Sequence, residues 1–276
     1  MLPGDSHIHS EWSWDTSLGD MAATCAEAVR LGLPLVAFTE HVDGTVWQVG
    51  ADEVLPEDWT RHGLIDGTLA PPPLDVAGYL ECIDRCRSAY PGLRILTGVE
   101  LGEPHWHRAA VADLLGTGAF TRVLASLHSA EAGVGHVDIA RQYDALPPQQ
   151  VYDEYLAELE RLVTTYDDFE VLAHVDYPLR RWPAGVPLDL GVFEDRMRHL
   201  LALTGEAGKV LELNTRIPLD PVVLRWWHEA GGEAISFASD AHRPDLVAAG
   251  FAEAVQVAEA AGFRRAADPL DFWHRA

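Results

Sequence analysis

Short apolar runs alternate with longer amphipathic stretches along nearly the whole chain. In the longer stretches apolar residues recur every three or four positions, which is the period of a helix with one buried face. Many of these stretches stop at a glycine, as at Gly32, Gly208 and Gly262. Strands that alternate with helices form parallel sheets. The pattern therefore predicts an α/β fold of seven β/α units, either a closed barrel or an open doubly wound sheet.

The boundaries of the predicted elements follow from this periodicity and from capping residues. The first helix is predicted from Met21 to Leu31, and either Ser17 or Asp20 can cap its amino terminus. The other predicted helices span residues 75–90, 106–115, 149–166, 188–206, 221–230 and 245–261. The predicted strands span residues 5–9, 35–38, 94–99, 122–127, 169–173, 209–214 and 234–239.

Two segments show neither period. Residues 42–74 are rich in Gly, Trp and Asp and close with three consecutive prolines, and residues 129–148 are also irregular. A loop as long as the first segment, inside a compact domain, is usually a lid or a binding loop. We therefore expect residues 42–74 to form a long loop that borders the functional site.

Length and composition indicate one domain. The chain has 276 residues, of which 48% are hydrophobic, and this is the size of an α/β barrel. No basic-then-apolar leader and no membrane-length apolar run occurs, so we expect a cytoplasmic protein with no membrane partner. Cys82 and Cys86 lie four residues apart on a predicted helix without a neighbouring Cys or His pair, which favours helix packing over a zinc site.

The net charge of the chain limits the kinds of molecule that it can bind. The net charge is −23, from 43 acidic and 20 basic residues, and Lys209 is the only lysine. Such a surface repels long nucleic acids and anionic lipids. Bound metal cations would reverse the field locally and still admit a small anionic substrate. The sequence makes no prediction of the oligomeric state.

Residues of the types that bind metals stand where the apolar runs end. His7 and His9 share one face of the first predicted strand, and Asp240 and His242 follow the last strand with the same spacing. In α/β barrels the carboxyl ends of the strands carry the active site, and closure makes the first and last strands neighbours. The full set of strand-end candidates is His7, His9, His41, Glu100, His128, His174, Asp240 and His242.

Eight candidate ligands exceed the needs of one ion, since a catalytic zinc takes about three protein ligands and a water. Two or three ions are therefore expected. Imidazole combined with carboxylate suits Zn, Mn or Fe better than Mg or Ca. Clustered ions of this kind supply a bridging hydroxide and hold both the attacking and the leaving oxygen, which favours hydrolysis of a phosphate ester.

These motifs resemble those of the PHP (polymerase and histidinol phosphatase) superfamily, in the family's order and over essentially the whole chain. The resemblance is greatest to the histidinol-phosphatase-like branch, which also has counterparts of Ser13-Trp14-Asp15 and of the segment from Glu212 to Thr215. The motifs that carry the resemblance lie at residues 5–10, 38–41, 98–100, 126–129, 173–176 and 239–242.

The resemblance implies a single domain over residues 1–276, folded as a distorted (β/α)7 TIM-like barrel with a trinuclear metal site at the carboxyl ends of its strands. It implies hydrolysis of a small phosphate monoester, L-histidinol phosphate, by a metal-bridging hydroxide held by Glu100 and Asp240. It also implies that Arg216, together with Arg180 or Arg181, binds the substrate phosphate. The implied ligands are His7, His9, Glu100 and Asp240 for the first metal, Glu100, His128 and His174 for the second, and Asp15, His41 and His242 for the third.

Three alternatives stay open at this point. An amidohydrolase also begins with His-x-His, but its common dinuclear form needs a carboxylated lysine, and Lys209 begins a predicted strand. A nucleotide or oligonucleotide phosphoesterase of the same superfamily would use the same ligands. A barrel kept as a non-enzymatic binding module would be expected to have lost ligands, and none of the family's ligand positions is altered here.

Overall fold

The strands of the computed structural model, which describes residues 2–50, 53, 55–61 and 64–276, form two sheets. In chain order they are β1 (Asp5–Ile8), β2 (Leu35–Asp43), β3 (Trp47–Gln48), β4 (Leu64–Ile65), β5 (Thr68–Leu69), β6 (Arg94–Gly102), β7 (Arg122–Ser126), β8 (Ser129–Ala132), β9 (Gly135–Asp138), β10 (Val171–Leu172), β11 (Val210–Asn214), β12 (Ala234–Ala238), β13 (Phe263–Arg265) and β14 (Trp273–Arg275).

The helices lie between these strands, and all but α2 correspond to a predicted helix. They are α1 (Met21–Leu31), α2 (Glu57–Thr60), α3 (Val76–Ala89), α4 (Arg108–Leu115), α5 (Pro148–Thr165), α6 (Glu194–Glu206), α7 (Pro221–Glu229) and α8 (Phe251–Ala260). Short 3-10 helices span Ile139–Asp144, Tyr177–Arg181, Leu190–Phe193 and Pro244–Leu246.

Seven parallel strands form the barrel, in the order β1-β2-β6-β7-β10-β11-β12. The ring closes between its first and last strands, where Ile8 forms a parallel bridge with Ala241. Two backbone hydrogen bonds of 2.9 Å secure this closure: His9 N donates to Ala241 O, and Asp240 N donates to His7 O. The predicted (β/α)7 barrel is thus confirmed, and the open doubly wound sheet is excluded.

The barrel strands are buried on both faces, because side chains fill the interior and helices cover the outside. Every residue of β11 and of β12 is buried. The main core lies between the sheet and the helices, where Phe38, Tyr79, Ile83 and Ile95 are almost completely buried. Packing of this kind holds the strand ends, and whatever side chains they carry, in fixed positions.

Residues 42–74 contain more regular structure than the long loop that the sequence predicts. Val42 and Asp43 continue β2, and the segment then contributes β3, α2, β4 and β5. These strands form a second sheet with the β8–β9 hairpin, in the order β4-β5-β3-β9-β8. A parallel bridge between Trp47 and His136 joins the two crossover segments. Two-residue strands are too short to show a period, so the sequence does not predict them.

The carboxyl-terminal region also differs from the prediction. Beyond the last predicted helix, β13 and β14 add an antiparallel pair to the edge of β12. The last helix begins at Phe251 instead of residue 245, since a 3-10 turn and Gly250, with φ of +75°, interrupt the helical path. Among the described residues, no helix has the length and apolar content needed to cross a membrane.

The amino terminus of α1 offers a test of the local interpretation. The Asp20 side chain accepts the Ala23 N–H at 2.8 Å, so Asp20 is the capping residue and Ser17 is not. We expect Asp20→Ala to lower the free energy of unfolding by about 1 kcal/mol, the usual value of such a cap. Ser17→Ala should change it by less than about 0.5 kcal/mol. Urea denaturation of both variants measures this, and equal effects would contradict the assignment.

Candidate metal centre

Closure of the barrel places the candidate ligands of the first strand beside those that follow the last barrel strand. The backbone bonds between β1 and the residues after β12 bring His7 and His9 next to Asp240. Asp240 has a φ of +52°, a left-handed conformation that is uncommon for a residue with a side chain. Its carboxylate is buried and lies among the strand-end imidazoles. Strain of this kind persists where the surrounding structure determines it, typically at functional sites.

Glu100, at the carboxyl end of β6, lies at the centre of the cluster and is fully buried. Its Oε2 is 3.1 Å from Nε2 of His7 and 3.2 Å from Nδ1 of His41. Its Oε1 is 2.7 Å from Nε2 of His174 and 3.2 Å from Nε2 of His128. The two oxygens of one carboxylate therefore face two separate groups of imidazoles, which is the geometry that a bridging ligand requires.

A second part of the cluster surrounds Asp240 and Asp15. Asp240 Oδ1 lies 3.4 Å from Nε2 of His9 and 3.5 Å from Nδ1 of His242. Asp15 Oδ2 lies 3.0 Å from Nε2 of His242 and 3.4 Å from Nε2 of His41. The structure thus brings all nine predicted ligands into one site, with seven of them buried and Asp15 and His242 half-buried.

Four groups within the cluster have ligand atoms that all lie within 4.8 Å of one another. One of them coincides with the set expected for the second metal, and another contains three of the four residues expected for the first. Asp43, which the sequence does not suggest as a ligand, joins His41 and His128 in one group. The groups are His7, His9 and Asp240; Glu100, His128 and His174; His9, His41 and His242; and His41, Asp43 and His128.

The charges of the cluster suit cation binding. Burial alone would raise the pKa of Glu100, but the imidazoles of His7, His128 and His41 hold that pKa well below its usual range. Burial also opposes ionisation of Asp240, yet the guanidinium groups of Arg180 and Arg216 keep its pKa well below normal. Both carboxylates are therefore anions at neutral pH, the state in which they bind metals.

The imidazole donors fit the same purpose. Burial, together with the neighbouring imidazoles of His41 and His242, lowers the pKa of His9 well below its ordinary value, so its ring is neutral and keeps a lone pair. Nε2 of His9 and Nε2 of His7 approach to 3.0 Å. Asp15 Oδ1 and His41 Nδ1 are buried without a hydrogen-bond partner in the described part of the chain. Converging imidazole and carboxylate atoms of this kind fit divalent transition ions.

A cavity of about 590 Å³ opens above the cluster. Seven of the nine candidate ligands line its floor, and four arginines also line it: Arg180, Arg181, Arg216 and Arg243. Arg180 Nη2 lies 2.6 Å from Asp240 Oδ2, and Arg216 Nη1 lies 3.3 Å from Asp240 Oδ1. The two guanidinium groups thus reach the same carboxylate through its two oxygens and face the ligand cluster.

The PHP domain family model matches residues 5–216 of the chain. The chain belongs to the PHP domain family. This PHP domain is 23% identical over 268 residues to the "Probable histidinol-phosphatase" of Clostridium acetobutylicum, covering 92% of each chain. It is 28% identical over 125 residues to the protein of the same name from Thermotoga maritima, covering 43% of this chain and 52% of that protein.

A solved structure has the same fold. The histidinol phosphate phosphatase of Lactococcus lactis, determined with zinc, L-histidinol and phosphate, superposes on this PHP domain with a TM-score of 0.79 at 21% identity. The match covers 95% of each chain. This agreement confirms the distorted TIM-like barrel over the length of the chain.

Carboxylates outside the nine candidate ligands orient the imidazoles of this PHP domain. Glu212 Oε2 lies 2.7 Å from Nδ1 of His7, and Glu212 Oε1 accepts the backbone N–H of His174. Asp43 Oδ1 lies 2.9 Å from Nδ1 of His128. Gly102 permits that approach, since a Cβ there would lie 2.0 Å from Asp43 Oδ1. Such partners fix the ring orientation and the tautomer of a metal-binding histidine.

Glu103 organises the turn that carries His128. It is fully buried, has a φ of +45°, and accepts four hydrogen bonds. Its Oε1 accepts the backbone N–H groups of His128 and Ser129, and its Oε2 accepts the hydroxyls of Ser129 and Thr45. The sequence shows no signal for this role except an acidic residue three positions after Glu100.

The contact between Glu212 and His7 can be tested by metal affinity. If Glu212 accepts the Nδ1–H of His7, the Nε2 lone pair of His7 faces the cluster; the amide of Glu212→Gln would donate instead and favour the other tautomer. We expect Glu212→Gln to weaken Zn²⁺ binding about 10- to 100-fold. Competition against a chromophoric chelator measures it, with the exposed Glu206→Gln as control. Unchanged affinity would contradict the orienting role.

Proposed function

We propose that this protein is a metal-dependent phosphoric monoester hydrolase that converts L-histidinol phosphate and water to L-histidinol and phosphate. The observation that carries the proposal is the buried imidazole–carboxylate cluster bridged by Glu100, with two guanidinium groups beside it in one cavity. Cations and guanidinium groups together neutralise the oxygens of a phosphate monoester. The cluster lies at the carboxyl end of a barrel, where such enzymes place their chemistry.

The cluster would hold two to three divalent transition ions, Zn, Mn or Fe. When bound, such ions activate a water molecule and neutralise the charge on phosphoryl oxygens. Glu100 is assigned as the bridging ligand, because each of its oxygens faces a different imidazole group. The nine residues assigned to the ions are His7, His9, Asp15, His41, Glu100, His128, His174, Asp240 and His242.

Arg180 and Arg216 are assigned to the substrate phosphate. Guanidinium binds phosphate oxygens through two parallel hydrogen bonds. The Arg180 side chain is largely buried and packs over the Tyr177 ring at 4.9 Å, so its position is fixed. The Arg216 side chain is 45% exposed and remains accessible to a ligand that enters the cavity. Arg180 also holds the proposed metal ligand Asp240 through a contact of 2.6 Å. Arg216 contacts the same carboxylate at the longer distance of 3.3 Å.

Proteins similar to this chain support the choice of substrate. The relatives from Clostridium acetobutylicum and Thermotoga maritima both carry the name "Probable histidinol-phosphatase", and the matched Lactococcus lactis structure contains zinc, L-histidinol and phosphate. The amidohydrolase alternative loses support, because Lys209 is at the opposite end of the barrel. Its Nζ lies 2.7 Å from Asp167 Oδ1 and donates to the backbone oxygens of Asp167 and Phe169.

The activity can be tested directly. Protein loaded separately with Zn²⁺, Mn²⁺ or Fe²⁺ should release phosphate from L-histidinol phosphate with a higher kcat/KM than from nucleoside monophosphates or short alkyl phosphates. Elemental analysis of the gently purified protein should find two to three transition ions per chain. Hydrolysis confined to nucleotides would favour the nucleotide phosphoesterase alternative, and a protein with tightly bound metal but no phosphatase activity would contradict the proposal.

The two arginines should behave differently. Arg216→Ala should lower kcat/KM by the equivalent of about 1.5 to 3 kcal/mol, the value of a hydrogen bond to a charged group, and leave the metal content unchanged. Arg180→Ala should lower both kcat/KM and metal content, because Asp240 loses its 2.6 Å partner. Steady-state kinetics and elemental analysis measure these effects, with the exposed Arg225→Ala as control. Full activity in Arg216→Ala would show that the assignment is wrong.

A further inference from the structure

We propose that the half of the cavity beside Trp14, Trp47 and Trp59 is a leaving-group site in which Trp59 stacks on a flat ring and Asp138 binds an ammonium group. The inference rests on the proposed phosphatase function and extends it to the residues that select the alcohol. Trp59 and Asp138 both line the cavity that contains the ligand cluster. Neither is a metal ligand, and they come from two crossover segments that are distant in sequence.

Three indole rings form one wall of this half. Trp14, Trp47 and Trp59 lie with ring centroids 5.1 to 5.8 Å apart, and all three line the cavity. Trp14 and Trp47 are almost fully buried, whereas Trp59 is half-buried. Trp14 and Trp47 therefore support Trp59 from behind, and part of the Trp59 ring remains exposed for a ligand to contact.

The supporting rings are held by hydrogen bonds to the metal-site framework. Trp14 Nε1 donates to Asp43 Oδ2 at 2.7 Å, and Asp43 contacts His128 through its other oxygen. Trp47 Nε1 donates to Ser129 Oγ at 2.7 Å, next to His128 in the chain. The wall is thus fixed relative to the cluster before a ligand binds, which lowers the entropy lost on binding.

Asp138 supplies a negative charge in the same half. It caps the 3-10 helix that follows β9, and its Oδ1 accepts the Ala140 N–H at 2.9 Å. Among the described residues, no donor is hydrogen-bonded to the other carboxylate oxygen of Asp138, Oδ2. Burial raises the pKa of Asp138 to about 6, so it is an anion above neutral pH. The ionisable groups near Asp138 are of both kinds: Arg181 and His128 are basic, and Glu53 is acidic.

The cavity therefore has two chemically different halves. One half carries guanidinium groups and candidate metal ligands, which suit a phosphate. The other offers an aromatic face and a carboxylate, which suit a flat ring and a protonated amine. A volume of about 590 Å³ exceeds what a short alkyl phosphate fills and admits an alcohol that reaches the wall. Histidinol carries both an imidazole ring and an ammonium group.

Three phosphate monoesters separate the two contacts. L-Histidinol phosphate has the ring and the amine, imidazolylpropyl phosphate has the ring alone, and alaninol phosphate has the amine alone. Their kcat/KM values at pH 8 are measured with the metal-loaded protein and its variants. Trp59→Ala should lower the ratio of histidinol phosphate to alaninol phosphate about tenfold, and Trp59→Phe should restore most of it. Asp138→Asn should lower the ratio of histidinol phosphate to imidazolylpropyl phosphate about tenfold.

The matched control is Glu57→Gln, an exposed residue on the same helix as Trp59, which should leave both ratios as they are in the wild type. Equal losses on all three esters in Trp59→Ala or Asp138→Asn would overturn the inference, since a purely structural role lowers every rate alike.

Calorimetry of L-histidinol binding in the presence of inorganic phosphate separates this inference from the proposed function. If the wild type hydrolyses none of the esters but binds L-histidinol, and Trp59→Ala weakens that binding about tenfold, the proposed reaction fails and the site stands. If the wild type hydrolyses the esters and neither ratio changes in the variants, the function stands and the site is wrong. Absence of L-histidinol binding to the wild type also overturns the site.

Discussion

The structure depends on placing many ionisable side chains in a buried site without leaving any isolated charge. Moving a charged group out of water costs several kcal/mol unless partners replace the lost hydration. Here an inner set of side chains is partnered by a second set of polar groups that surrounds it. The inner imidazoles surround Glu100 and Asp240, and several have their second nitrogen against a carboxylate or a hydroxyl. Examples are His7 with Glu212, and His9 with Ser13, whose Oγ donates to Glu40 at 2.6 Å.

This arrangement explains why barrel closure matters for chemistry as well as for stability. The backbone bonds between β1 and the segment after β12 bring His7 and His9, the first two candidate ligands, to Asp240. A slip of one residue in that register would turn alternate side chains to the other face. The left-handed backbone of Asp240 adds a second constraint, because few residues with a side chain adopt that conformation.

The sequence predicts the barrel and the meeting of the strand-end candidates for a physical reason. Parallel strands end on one face of a barrel, so metal-binding residue types at the ends of apolar runs must meet, and the eight strand-end candidates do. Asp15 follows no strand, and only the family resemblance points to it. The outer carboxylates have no such signal. Glu212 and His7 are separated by 205 positions, and a single polar residue in an apolar run does not reveal its partner. The second sheet is also invisible to periodicity, since β3, β4 and β5 have two residues each.

The second sheet has a consequence for how this molecule can change over evolutionary time. Its strands come entirely from the crossovers after β2 and β7, and no barrel strand belongs to it. Insertions, deletions or exchanges in residues 44–74 can therefore reshape the cavity wall while the strand-end candidate ligands keep their positions. A lineage could acquire a different cavity wall through one crossover segment and retain an unchanged imidazole–carboxylate cluster. The fold thus separates the part that can vary from the part that cannot.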